Sequence, residues 1–300
     1  MKSKPIYVEI HIDADVDAVW KASQDPFLHS QWDLRFSSIT YLPKHDGGPQ
    51  LFTYERKVLP LFSVQGWGKS SGVSDLPDGS RSSSLHFGTD QWYSPIKEGK
   101  GYWKYVPEND GMTFLTQYNY DATFGKSGKV LDTYIFRPMM GWATALSFDV
   151  LKRWLEKGES PASQYLRFFT AYGLSIFFAF IWIYQGLIPK LIAMHHEERS
   201  MIGSALHLSD AQSAKAVFMI GIMEVLFGLF WLVYRRKRHL FALLLIVFPL
   251  LTLGAILSNS GIATDPFNPV TFNLALFVLS WIGYANSDHL PTATTCKRKR

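Results

Sequence analysis

The sequence predicts an α+β domain over residues 1–160, followed over residues 161–300 by an all-α bundle of four transmembrane helices. Three observations predict this: period-2 alternation of apolar residues in the first half, four long apolar runs in the second, and unequal sharing of charge. Residues 1–160 hold 18 Lys and Arg against 19 Asp and Glu, while residues 161–300 hold 12 against 6. The net charge of +5 therefore comes from the second half, where the basic residues stand at the edges of apolar runs. That is a membrane pattern, and it argues against nucleic acid as a partner.

In the first half, Ile6, Val8, Ile10 and Ile12 alternate with Tyr7, Glu9 and His11, as a half-buried strand requires. Asp13 or Asp15 can cap a helix with Val16, Val19 and Trp20 on its apolar face. Pro26 breaks it, and Phe27–Trp32 is long enough for a second short helix. Strand signals run from Ser37 to Phe124, with Asp78-Gly79 as a hairpin turn. The clearest strand sets Phe114, Thr116, Tyr118, Tyr120, Ala122 and Phe124 on one face, and Leu115, Gln117, Asn119 and Asp121 on the other. Leu131–Lys157 has helical spacing through Ile135, Met139, Trp142, Leu146, Val150 and Trp154; Pro138 and Gly141 predict a kink or a late start.

In the second half, the runs 168–189, 216–234, 240–258 and 270–285 match the roughly 20 residues that a helix needs to cross the hydrocarbon, the last being short at 16. Arg235–Arg238 lies between runs two and three, Lys297–Arg300 closes the chain, and Lys152, Arg153, Lys157 and Arg167 precede run one. With four spans all three clusters fall on one side, so the positive-inside rule predicts a multi-pass inner-membrane protein with both termini cytoplasmic. Met1–Asp13 has no apolar h-region, so no cleavable signal is expected.

The order strand, helix, helix, strands, long helix, with Asp15-Val16-Asp17-Ala18-Val19-Trp20 after the first strand, resembles the START-like, polyketide-cyclase (SRPBCC) superfamily. Trp182–Leu191, followed by His195-His196-Glu197-Glu198 and by Gly221-Ile222-Met223-Glu224, resembles the DoxX-like membrane family. Arg137–Asp149 is similar to bacterial proteins that fuse the two. The resemblance implies a helix-grip pocket for an apolar ligand, tethered to a four-helix membrane unit. It lends an architecture and no single reaction.

The chemistry-bearing residues are few. Gly68-Lys69-Ser70 mimics the end of a P-loop, but Ser63 stands where the first glycine must be. Cys296, the single cysteine, leaves no intrachain disulfide or thiolate zinc site and reads as a bystander, with lipidation the functional alternative. Adjacent His195 and His196 point to different sides of a helix, so no metal site is expected from them, Glu197, Glu198 and His207. Glu224, inside the second run, must be protonated, paired or facing a polar cavity. It reads either as a proton-handling or ligand-orienting group, or as a structural acid bonded to Tyr184, Gln185 or Asn273. Lys190 reads as a partner for a lipid head group or as a snorkelling side chain.

Trp32, Tyr54, Trp67, Trp92, Tyr118 and Tyr120 are the candidate ligand-binding rings, with Asp33, Glu55 and Arg56 as polar anchors. No carboxylate or histidine pair is spaced for acid–base work, so binding is expected rather than catalysis. The expected partners are the bilayer and an apolar or amphipathic molecule, lipid- or quinone-like, with no resident cofactor. The alternatives are an accessory subunit serving a quinone-linked redox partner in the membrane, or a small transporter acting through Glu224.

Overall fold

The computed structural model describes residues 4–44, 47–59, 62–123, 125–258 and 260–298. They form two compact units: the described residues of 4–164 with 291–298, and those of 165–290.

The first unit is an antiparallel seven-stranded sheet in the order β1-β7-β6-β5-β4-β3-β2. The strands are β1 (Ile6–Ile12), β2 (Ser38–Tyr41), β3 (Leu51–Leu59), β4 (Phe62–Asp75), β5 (Arg81–Gly88), β6 (Ile96–Glu108) and β7 (Gly111–Ala122). Helices α1 (Val16–Gln24) and α2 (Pro26–Trp32) lie between β1 and β2. Asp15 caps α1 by accepting from the Ala18 amide, and Asp25 caps α2 through the Phe27 and Leu28 amides. β1 and β7 bury every second residue, as their alternation predicts. The hairpin falls at Asp78-Gly79, where Gly79 has a φ of +79°. Phe124 lies outside the described residues.

The long helix comes in three parts: α3 (Gly125–Leu131), a π-helical turn (Asp132–Phe136) and α4 (Arg137–Lys157). The helix does not start late: backbone is helical on both sides of Pro138, which lies in the first turn of α4 directly after that π turn and cannot donate to the carbonyls before it. The expected apolar stripe divides: Leu146 and Val150 are fully buried, whereas Ile135, Met139 and Trp142 are exposed. Phe148 of α4 stacks on Phe114 of β7 at 4.5 Å and packs against Trp32 at 6.1 Å. This aromatic stack fixes the helix across the sheet.

The C-terminal tail departs from the expected division of the chain at residue 160. Rather than staying with the second half, it packs into the first unit. Lys297 bridges to Glu9 of edge strand β1, exchanging backbone hydrogen bonds of 2.9 and 3.0 Å. Asp149 accepts from the Thr292 amide and the Thr295 hydroxyl, and the Cys296 thiol donates to the Ala145 carbonyl. The tail thereby covers backbone groups that a bare sheet edge would expose.

The second unit is helical: the end of α5 (Pro161–Gln185) with a π-helical turn (Gly186–Ile192), then α6 (His196–Leu206), α7 (Asp210–Val233), α8 (Lys237–Ser258) and α9 (Pro269–Asn286). Among the described residues three helices are long and apolar enough to cross a membrane: Pro161–Ile192, Asp210–Val233 and Lys237–Leu257. The fourth expected span, α9, has 18 residues and is not among them. Phe178, Trp231, Phe241, Leu244 and Phe248 form the core of this unit.

Candidate functional site

The inner face of the sheet is lined by rings lying flat over glycines. A Cβ at Gly66 would come within 2.3 Å of the Tyr54 ring, and one at Gly68 within 2.1 Å of the Phe52 ring. Bare backbone at these positions lets the rings lie down instead of filling the space above the sheet. A cavity of about 730 Å³ results. Phe52, Tyr54, Leu85, Phe87, Trp103 and Tyr118 contribute its apolar and aromatic wall, with Met140 from α4.

Its charged interior group is Arg35, just after α2. Asp33 accepts from Arg35 Nε at 2.9 Å, from Nη2 at 2.6 Å and from the Arg35 amide at 3.0 Å. His29, one turn earlier on α2, lies 3.0 Å from the same carboxylate. Burial alone would raise the Asp33 pKa, but Arg35 and His29 outweigh it and hold it well below the usual carboxylate range. Burial lowers the His29 pKa against the opposing pull of Asp33, so the ring is neutral and donates to Asp33 from Nε2. The guanidinium lies 5.3 Å from the Tyr118 ring centroid and 5.7 Å from that of Phe36. Burial pushes the Tyr54 hydroxyl up to about 12 and the Tyr118 hydroxyl upward as well, so both are neutral hydrogen-bonding groups.

Of the six rings singled out in the sequence, Tyr54 and Tyr118 line the cavity. Trp32 is fully buried in the core, where its indole donates to the Ala22 carbonyl. Trp67 points to the other face of the sheet, because it alternates with Gly66 and Gly68, and its ring meets His86. Trp92 is 78 % exposed on the β5–β6 connection, away from the wall. Tyr120 is buried in a structural role: its hydroxyl donates to Asp132 at 2.6 Å, and Arg137 lies over its ring at 4.3 Å. These contacts pin the π turn to β7. Among the proposed anchors, Asp33 stands behind Arg35, Glu55 points away from the face of Tyr54, and Arg56 is not in the wall. Arg35 itself went unrecognised in the sequence. The signal was a charged Asp-x-Arg between Trp32 and Phe36, where an unpaired charge would be costly.

In the helical unit Lys190 and Glu224 prove to be one site. Lys190 Nζ lies 3.1 Å from Glu224 and 3.3 Å from Glu198. Of the three states open to Glu224, the paired one is realised, and its partner is Lys190 rather than Tyr184, Gln185 or Asn273. Tyr184 is 47 % exposed beside Phe180, and Gln185 offers its carbonyl to Lys190. Glycine makes the meeting possible: a Cβ on Gly186 would come within 2.5 Å of the Gly221 carbonyl.

An antiparallel sheet packed on a long helix around an apolar cavity, in one chain with helices long and apolar enough to cross a membrane, defines a membrane protein that joins an α+β domain to a helical membrane domain. Residues 179–281 match the DoxX-like family. An uncharacterized membrane protein of Bacillus subtilis (strain 168), YndG, is 46 % identical over 188 residues, which are 62 % of this chain and 70 % of the relative. The chain belongs to the family of that protein, and its second half carries a DoxX-like domain. Among solved structures it is similar to a STAR-related lipid transfer protein fragment from Xanthomonas axonopodis. That likeness has a TM-score of 0.40 at 19 % identity over 51 % of this chain and 86 % of the other. It is also similar to the Zhui aromatase/cyclase of a Streptomyces species, with a TM-score of 0.37 at 11 % identity over 52 % and 98 %. At such scores neither protein's chemistry is carried over to this chain.

Proposed function

We propose that the START-like domain is a cytoplasmic binding module for an apolar or amphipathic molecule, lipid- or quinone-like, held at the inner cell membrane by the DoxX-like helices. The observation that carries this reading is the cavity of about 730 Å³ with Arg35 as its charged interior group. Ligand sites of this kind have roughly 300–1,000 Å³, a mostly apolar wall and a few placed polar groups.

The tail supports the orientation. Residues 291–298 belong to the same folded unit as residues 4–164, so the intervening chain leaves and re-enters on one side of the bilayer and crosses an even number of times. Three long apolar helices then need α9 as a fourth. Its 18 residues reach about 27 Å, close to the hydrocarbon thickness. The basic loop Arg235–Arg238 favours the cytoplasm for that side.

The test is mass spectrometry of solvent extracts from the full chain purified in detergent. A defined apolar molecule is expected with the wild type, and Leu85→Trp, which fills the cavity, is expected to lose it. If a folded Leu85→Trp retained the same molecule, the ligand would have to sit elsewhere and the reading would fail.

A further inference from the structure

The charge balance of the cavity narrows the ligand further. Asp33 is 1 % exposed and takes the Nε and Nη2 edge of Arg35, so the two form a buried pair of zero net charge. Only Arg35 of this pair lines the cavity. A guanidinium carries more N–H donors than one carboxylate and one hydroxyl can take up: Asp33 and the Tyr118 hydroxyl engage some of them, and Arg35 lines the cavity with donors to spare.

The other titratable groups do not upset this balance. His29 uses its Nε2 proton on Asp33, and the ring is neutral. The Tyr118 hydroxyl is engaged with Thr144 Oγ1 at 3.0 Å, and Thr144 donates onward to the Met140 carbonyl. Tyr54 donates to the Gly88 carbonyl at 3.2 Å. Lys44, the remaining cation of the wall, is exposed and therefore solvated. A ligand thus meets a strong donor whose charge is already cancelled. A neutral oxygen acceptor completes the donor's hydrogen bonding. A carboxylate or phosphate would bring an unmatched charge beside Asp33 and give up hydration on entering the largely apolar wall.

Building on the binding role proposed above, we infer that the cavity selects amphiphiles with a neutral, hydrogen-bond-accepting head over anionic ones of equal length. Suitable heads are an alcohol, an ester, an aldehyde or a quinone carbonyl. Arg35 is the donor, and Asp33 sets the specificity by cancelling its charge.

Competition of lauryl alcohol against lauric acid tests this. The full chain is held in an uncharged detergent at about pH 7.5, where the acid is ionised, and occupancy is read by native mass spectrometry. The alcohol is expected to outcompete the acid by about tenfold or more. Asp33→Asn, which leaves the Arg35 charge uncancelled, is expected to move that ratio towards the acid by about tenfold. The double variant Asp33→Leu/Arg35→Met removes the pair as a unit and is expected to bind dodecane as well as the alcohol. Equal or preferred binding of the acid by the wild type overturns the inference while leaving the cavity a ligand site. If neither ligand occupies the wild type, the inference falls together with the reading beneath it. The wild-type competition decides even where a variant fails to fold.

Discussion

Lys190 Nζ stands 3.1 Å from Glu224 Oε2, joining the π-helical turn after α5 to the middle of α7 within a largely apolar unit. Neither side chain is more than about a fifth exposed, at 9 % and 17 %. Glu198 adds a second carboxylate at 3.3 Å and is a third exposed. The ammonium therefore gathers two acids, one from the following helix α6 and one from α7.

Removing Lys190 strands Glu224, whereas removing Glu224 leaves Lys190 with Glu198. Lys190→Met is therefore expected to lower stability by about 3–5 kcal/mol and Glu224→Gln by less. The double variant is expected to lose less than the two single losses combined, because no uncompensated charge remains. Unfolding of the full chain in detergent, followed by tryptophan fluorescence, measures all three. Strictly additive losses would mean that the two side chains do not act as a pair.

Acid sensitivity of the first unit should start at His29. Its folded pKa is lowered by burial, so protonation favours the unfolded chain, and stability falls as the pH drops below about 6.5. Asp33 acts lower on the scale: its contribution is complete above about pH 4 and is lost as the pH falls through its depressed folded value. Melting temperatures between pH 7.5 and pH 5 should therefore decline less steeply in His29→Gln than in the wild type. Parallel slopes would assign the decline to other groups.

Cys296 should be unreactive while the tail is docked. Burial raises its thiol from 9.0 to about 12, which cuts the thiolate present at about pH 8 by roughly a thousandfold. Iodoacetamide labelling is expected to be slow in the native chain and fast in denaturant. Fast native labelling would show that the tail leaves Ala145 and Asp149 readily.

Gly221 should tolerate no larger residue. A Cβ there meets Lys190 Cβ at 2.9 Å and the Gly186 carbonyl at 3.0 Å, so Gly221→Val is expected to cost at least about 1–3 kcal/mol. Gly254 has nothing within 4 Å of its ideal Cβ, so Gly254→Ala serves as the control and is expected to leave stability unchanged or slightly raised. Equal melting temperatures for the two variants would mean that the close approach at Gly221 is not maintained.

Much of the architecture was legible because it depends on local periodicity. Ile6, Val8, Ile10 and Ile12 face inward because a strand repeats every two residues, whatever lies opposite. The apolar runs declare themselves by length alone. The cavity wall was legible only in part. Trp67 and Tyr54 look equally suitable as residue types, yet pairing of β3 with β4 puts Tyr54 on the inner face and Trp67 on the outer. Ile135 and Leu146 share one helical stripe, yet only Leu146 meets the sheet.

Chain order and composition were enough for the fold class, the alternation along β1 and β7 and the membrane character, since each follows from near-neighbour chemistry and the cost of placing charge in hydrocarbon. Folding in three dimensions chose the partners. Lys190 with Glu224 and Lys297 with Glu9 depend on where the backbone brings distant segments, and the neighbouring Asp33 and Arg35 are parted by the fold, which sets Arg35 in the cavity wall and leaves Asp33 behind it. Charge pairing acts over a few ångströms of space, and no periodicity along the chain records which two side chains will meet.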